Sequence, residues 1–257
     1  ELEDDLKSAV EVGARALEHT VHFLRHDARV PHRRLLPYRA PLVVLARFFA
    51  LFPRPSAYTR RLLVRWVWRG FMSGAHVDSE KVRLRASVRA VRDDEETSAL
   101  RLLGLVPASC GAWVTPEDKN YDARSAVQRI GLLGLASLAP LGIEQETYGE
   151  RVGVGSLFEA VGPEAVRRVF THRSPDNDQH FSRLANRLLH PKVDRVREQL
   201  VDRARAYGVD DPVLRSHAIE PDAARALLAA DHKRFLALRE ATIERVVNRL
   251  AYHFADW

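Results

Sequence analysis

Residues 36–76 read LPYRAPLVVLARFFALFPRPSAYTRRLLVRWVWRGFMSGAH. The apolar run 42–52 leads into Pro53-Arg54-Pro55, and a second segment then sets Arg60, Arg61, Arg65 and Arg69 around Trp66 and Trp68. An apolar run between prolines reads as a buried helix, with Pro41 at its first position, where a missing N–H costs nothing. Ser56 is placed to cap a following Arg/Trp helix, which should stop near residues 70–74 at Gly70 or Gly74. Two adjacent helices of this kind fix the class: a mainly α, multi-helix globular protein.

The flanking sequence extends the pattern. Leu2, Leu6, Ala9, Gly13, Ala16, Leu17, Val21 and Leu24 recur at three and four residues, which predicts a long amphipathic first helix ending before Pro31. Two helices are expected over 80–92 and 94–105. Pro, Gly, Thr and Asn cluster over 107–121 and mark the internal boundary, so the expected organisation is an N-terminal helical subdomain, 1–106, and a C-terminal one, 107–257. In the second, helices are expected over 121–138, 156–170 (interrupted at Gly162-Pro163), 182–189, 193–207 and 221–230. Residues 142–155 read as loop with room for a short strand pair, and 171–181 as polar and irregular. Asp231 should cap a long last helix whose stripe runs Phe235, Leu238, Thr242, Val246, Leu250 and Phe254. Few or no strands are expected, and there is no repeat or low-complexity tract.

Composition narrows the setting. The 257 residues are 46% hydrophobic and 29% charged, an ordinary globular balance. No apolar run approaches the roughly 20 residues that span a bilayer, and no leader pattern opens the chain, so no membrane partner and no secretion are expected. The chain opens at Glu1 rather than Met, which fits a portion of a longer protein. A single cysteine, Cys110, excludes an internal disulfide and a Cys-rich zinc site, and suits a reducing, cytoplasmic setting. The net charge of +6 is carried mainly by Arg, which favours bidentate contacts to phosphate or carboxylate.

Several motifs bear on chemistry. His19, His22 and His26 share a face of the first helix, but no HExxH or matching carboxylate accompanies them, so no metal site is assigned there. Gly153-Val154-Gly155-Ser156 lacks the Lys-Ser/Thr of a P-loop. Arg60, Arg61, Arg65 and Arg69, with Arg83, Arg85 and Arg89 in the next helix, form basic runs suited to nucleic-acid phosphates. The competing reading makes the Trp residues core and pairs the Arg residues with acids such as 93–96. No GxSxG elbow supports Ser174, Asp178 and His180 as a triad, and Cys110 has no evident His partner.

His172-Arg173-Ser174-Pro175, followed by Asn186 and Leu188, is similar to the ββα-metal core of HNH nucleases. That resemblance implies His172 as general base, Asn186 as a brace for the loop, and a divalent metal (Mg or Mn) held by an acid beside the first His and by a later His or Asn. Here Thr171 stands in place of the acid and Arg195 lies nine residues past Asn186; His190 or His180 would have to substitute.

The wider chain resembles GmrSD-type proteins, large bacterial proteins of phage restriction and genome defence. LPYRAPLVVLARFFALFP with LLVRWVWRGFMSGAH is similar to their central helical region, and NYDARSAVQRIGLLGLASLAP to the helix that follows. LANRLLHP and SHAIEPDAARALLAADHKRFLALREATIERVV resemble their C-terminal segments. The family's N-terminal ParB-like nucleotidase carries an Asp-Gly-Gln-Gln-Arg signature that does not occur here, and many members end in an HNH-type domain, where segment 171–191 falls as a degenerate version. The resemblance implies a helical, non-catalytic portion of a restriction protein that binds DNA, or docks an upstream nucleotidase module or another copy of itself. The alternatives are a divergent metal-dependent DNA nuclease using His172, Asn186 and His190, and an oligomerisation scaffold built on the long terminal helices.

Overall fold

The computed structural model describes residues 2–77, 81–109, 111–116, 120–144, 148–171, 182–191 and 194–255. Its described residues form eleven α-helices, short 3-10 turns and a two-stranded sheet, a mainly α fold. No helix among them is long and apolar enough to cross a membrane. The chain divides into two compact units, one of residues 1–30, 36–112 and 251–257, the other of 31–35 and 113–250.

The first unit holds α1 (Leu2–His26), α2 (Ala40–Leu51), α3 (Ala57–Ser73), α4 (Lys81–Ala90), α5 (Glu95–Gly104) and the last turn of α11 (His232–Ala255). Helix α3 is its centre. Leu62, Leu63, Val64, Trp66, Val67, Trp68, Gly70 and Phe71 are all buried, so apolar residues cover most of its circumference, and Arg61, Arg65 and Arg69, four apart, keep one narrow stripe for charge. Its ends are set as the sequence predicts: Ser56 Oγ accepts from Thr59 N at 3.1 Å, and Gly74 turns the chain out in the left-handed region. The Trp68 indole N–H donates to Ala28 O at 3.0 Å. Gly70 is required by packing, because a Cβ there would lie 1.9 Å from His76 Nε2. In α1 the buried positions are Ala16, Thr20, Phe23 and Leu24, whereas Leu17 and Val21 face outward with Val10 and Val12. Among the described side chains of α1, residues 7–26, burial is confined to positions 16–24.

The second unit holds α6 (Ala126–Ser137), α7 (Val154–Val161), β1 (Val166–Arg168), β2 (Arg187–Leu189), α8 (Val196–Tyr207), α9 (Pro212–Ser216), α10 (Pro221–Leu228) and residues 232–250 of α11. Phe170, Leu188, Leu200, Leu214, Ile219, Leu227 and Phe235 belong to its core. Several expectations are corrected. The segment 182–189 is not a helix but a 3-10 turn, Leu184–Asn186, running into β2, and the helix expected to reach 170 gives way to β1. The strands pair antiparallel, Val166 opposite Leu189 and Arg168 opposite Arg187, so ladder bonds and burial on both faces replace helical bonds. The expected stripe of α11 lies at the edge of a wider buried face: Phe235 and Thr242 are buried and Leu238, Val246, Leu250 and Phe254 half-buried. The centre of that face runs Phe235, Arg239, Ile243, Val247, Ala251 and Ala255, with a cation on it. Helix α6 starts at Ala126, later than expected, because Asp122 Oδ1 accepts from Arg124 N at 2.8 Å and holds a turn ahead of it.

Candidate functional site

In the first unit the arginines of α3 have separate fates. Ala57, Arg60, Arg61, Val64 and Arg65 line one open cleft of about 560 Å³, whose other side is Asp27, His253 and Phe254. Arg60 donates to Asp27 Oδ2 at 2.5 Å, which neutralises one guanidinium and fixes that wall. Arg61 is exposed, with its guanidinium 5.9 Å from the Tyr58 ring centre. Arg69 lies outside this group of lining residues; its Nε donates to Ala255 O at 3.1 Å and caps the last turn of α11. Phe254 stacks on Trp68 with ring centres 5.4 Å apart, giving the cleft an apolar base. The acids at 93–95 take other partners: Asp93 pairs with Arg92 and Arg101, Asp94 caps α5, and Glu95 accepts from Ser56 N and Thr59 Oγ1. Arg83, Arg85 and Arg89 are exposed on α4, and none of them lines this cleft.

In the second unit β1, β2 and α8 follow one another in ββα order. Asn186, fully buried, brackets Phe170: its Oδ1 accepts from Phe170 N at 2.8 Å and its Nδ2 donates to Phe170 O at 3.0 Å. The brace thus grips the chain two residues before His172. His172 and His180 lie outside the described residues. His190 is buried with both ring nitrogens engaged, Nε2 accepting from Ile143 N at 3.1 Å and Nδ1 donating to Pro191 O at 3.2 Å. Burial holds its pKa below the usual imidazole range. It therefore offers no lone pair to a metal or a water. Arg195 is exposed at the start of α8, and no group of three or more His, Cys, Asp or Glu side chains among the described residues could hold a metal. Thr171, Arg195 and His190 do not fit the divalent metal that the HNH resemblance implies.

Three features escaped the sequence. Arg239 is fully buried, donating from Nε to His217 O at 2.9 Å and from Nη1 to Ala185 O, and burial with the nearby Arg187 lowers its pKa to about 9. Arg187 lies 4.8 Å over the Tyr121 ring, its pKa lowered to about 10 by burial and then by Arg168. Arg203 makes a buried two-point pair with Asp211, at 2.9 and 3.0 Å, with its guanidinium 3.5 Å from the Tyr148 ring centre and 4.9 Å from that of Tyr207. The only early signal was positional: Arg239 falls four residues after Phe235, on the face the helix buries.

Comparison with protein-family models, curated proteins and solved structures finds no match to this chain.

Proposed function

We propose that this chain is a helical, non-catalytic portion of a GmrSD-like anti-phage restriction protein that contributes DNA binding through α3. The observation that carries the reading is the cleft lined by Arg60, Arg61 and Arg65 from one helix, with Asp27 as the carboxylate among its described lining residues. Guanidinium groups on a rigid helix suit phosphate oxygens, and such contacts give affinity without reading sequence. Arg83, Arg85 and Arg89 add a second basic run on α4, a helix with no acidic residue. The exposed Val10, Val12, Leu17 and Val21 of α1 favour docking of a partner module or a second copy beside that role. Electrophoretic mobility shifts with duplex DNA test the reading: Arg61→Glu with Arg65→Glu should abolish the shift, and retained binding would remove α3 as the contact.

A second reading, a divergent Mg- or Mn-dependent nuclease with His172 as base, is favoured by the brace from Asn186 to Phe170. Incubation of supercoiled plasmid with the protein and either metal decides it. Cleavage lost in His172→Ala supports the nuclease, and intact plasmid supports the non-catalytic reading.

A further inference from the structure

Residues 111–116 lie between α5 and α6 with no helix or strand of their own, and burial alternates along them: Trp113 and Thr115 are buried, and Val114 between them is exposed. That period of two is the mark of extended chain. Two side chains of α11 hold the buried pair by its main chain. Asn248 Oδ1 accepts from Trp113 N at 2.8 Å and its Nδ2 donates to Trp113 O at 2.9 Å, while Glu244 Oε1 accepts from Thr115 N at 2.8 Å. Positions 244 and 248 share a helix face, so one row of α11 meets alternate residues of the segment. On α6, a Cβ at Gly131 would lie 2.2 Å from Leu184 Cδ2 and 3.1 Å from Trp113 Cη2, so the glycine leaves the room that Leu184 and the indole fill. All of these residues belong to the second unit. The fastening is thin. Among the described residues no backbone–backbone bond joins 111–116 to the rest of the chain, and its main chain rests on Asn248 and Glu244. Its anchors are also incompletely satisfied, because the Trp113 indole N–H and the Thr115 hydroxyl are buried with no partner among the described residues. Both groups regain hydrogen bonds from water when the segment lifts, which offsets part of what burying the indole ring gains.

We propose that residues 113–115 are a strap that lifts from α6 and α11 as a unit while the rest of the second unit stays folded. Lifting lays open the Gly131 face of α6 together with the Asn248 carboxamide and the Glu244 carboxylate, a row suited to extended main chain. The strap shares no residue with the α3 cleft, so it stands apart from the DNA reading.

Native-state hydrogen exchange of the full chain, followed by NMR in sub-denaturing urea, reads the opening. The Trp113 and Thr115 amides should show protection at least about a hundredfold below that of Ile243 and Val247 on the buried face of α11, and their exchange should not respond to urea. Unity is read by removing one fastening and watching the other. Glu244→Ala should speed exchange at the Trp113 amide, and Asn248→Ala at the Thr115 amide, each by about fivefold or more, the size expected for loss of one main-chain bond. Trp113 and Thr115 amides that exchange only in step with Ile243 and Val247 would make the segment part of the core and overturn the proposal. A second amide left unmoved when the other fastening is removed would show two independent contacts, and would overturn it as well.

Discussion

Asn186 holds Phe170 by both of its backbone polar groups, accepting from the N–H at 2.8 Å and donating to the carbonyl at 3.0 Å. One side chain thereby closes the mouth of the β1–β2 hairpin, where Val169 N also donates to Asn186 O at 3.2 Å. Replacing Asn186 by Ala strands a buried N–H and a buried carbonyl, and should destabilise the protein by about 3 kcal/mol. Urea unfolding of the variant measures this; a loss under ~0.5 kcal/mol would mean that water replaces the brace.

Gly70 is occupied by its neighbour rather than by its own side chain. Gly70→Ala should gain up to ~1 kcal/mol in helix propensity yet lose more, because the new Cβ displaces the His76 ring. The net prediction is a fall in thermal midpoint, reversed in part by adding His76→Ala. A rise in midpoint for the single variant would contradict the packing.

The Arg203–Asp211 pair carries several loads at once. Asp211 also caps α9 through Val213 N at 2.7 Å, and Arg203 lies over the Tyr148 ring with Tyr207 beside it. Asp211→Ala leaves a buried guanidinium unpaired and should cost about 3–5 kcal/mol, whereas the double change Arg203→Met with Asp211→Leu should recover much of it. Equal losses for the single and double variants, read by denaturant unfolding, would show that cap and stacking dominate over the ion pair.

His76 and His217, with His190, are buried histidines whose lowered pKa values make the fold sensitive to acid. Burial lowers His76 to about 4 and His217 to about 3, against about 6.5 for a free imidazole. Both pKa values are depressed on folding, so the unfolded chain binds more protons below pH ~6.5 and stability falls as pH falls from there toward the folded values. Between pH ~7 and ~5 each unit should lose about 2 kcal/mol. Unfolding curves across that range check this, and His76→Gln and His217→Gln should each flatten the slope; an unchanged slope in both variants would contradict it.

Much of the helical architecture was legible because its signals are local. Ser56, Asp94, Asp231 and Gly74 mark helix ends by residue type alone, and each stands at one. The strands were not legible, since three residues are too few to show a period of two, and β2 is buried on both faces. Arg239 and Arg203 were missed because a long charged side chain is ordinarily assigned to solvent, and their burial depends on carbonyls and a carboxylate brought by other turns. The arginines of α3 were visible as a group, but their division was not. Arg60 is taken by Asp27, 33 residues earlier, and Arg69 by Ala255, 186 residues later, and no spacing within α3 encodes those partners.

The salt dependence of DNA affinity tests the central proposal most directly. Fluorescence anisotropy with a labelled duplex, repeated over a series of salt concentrations, gives the slope of log K against log salt, which is about −0.9 per neutralised phosphate. The α3 cleft predicts a steep negative slope for the unaltered chain and a slope shallower by about two for Arg61→Ala with Arg65→Ala, one per lost contact. Binding that does not respond to salt, or a slope that the double variant leaves unchanged, would contradict it.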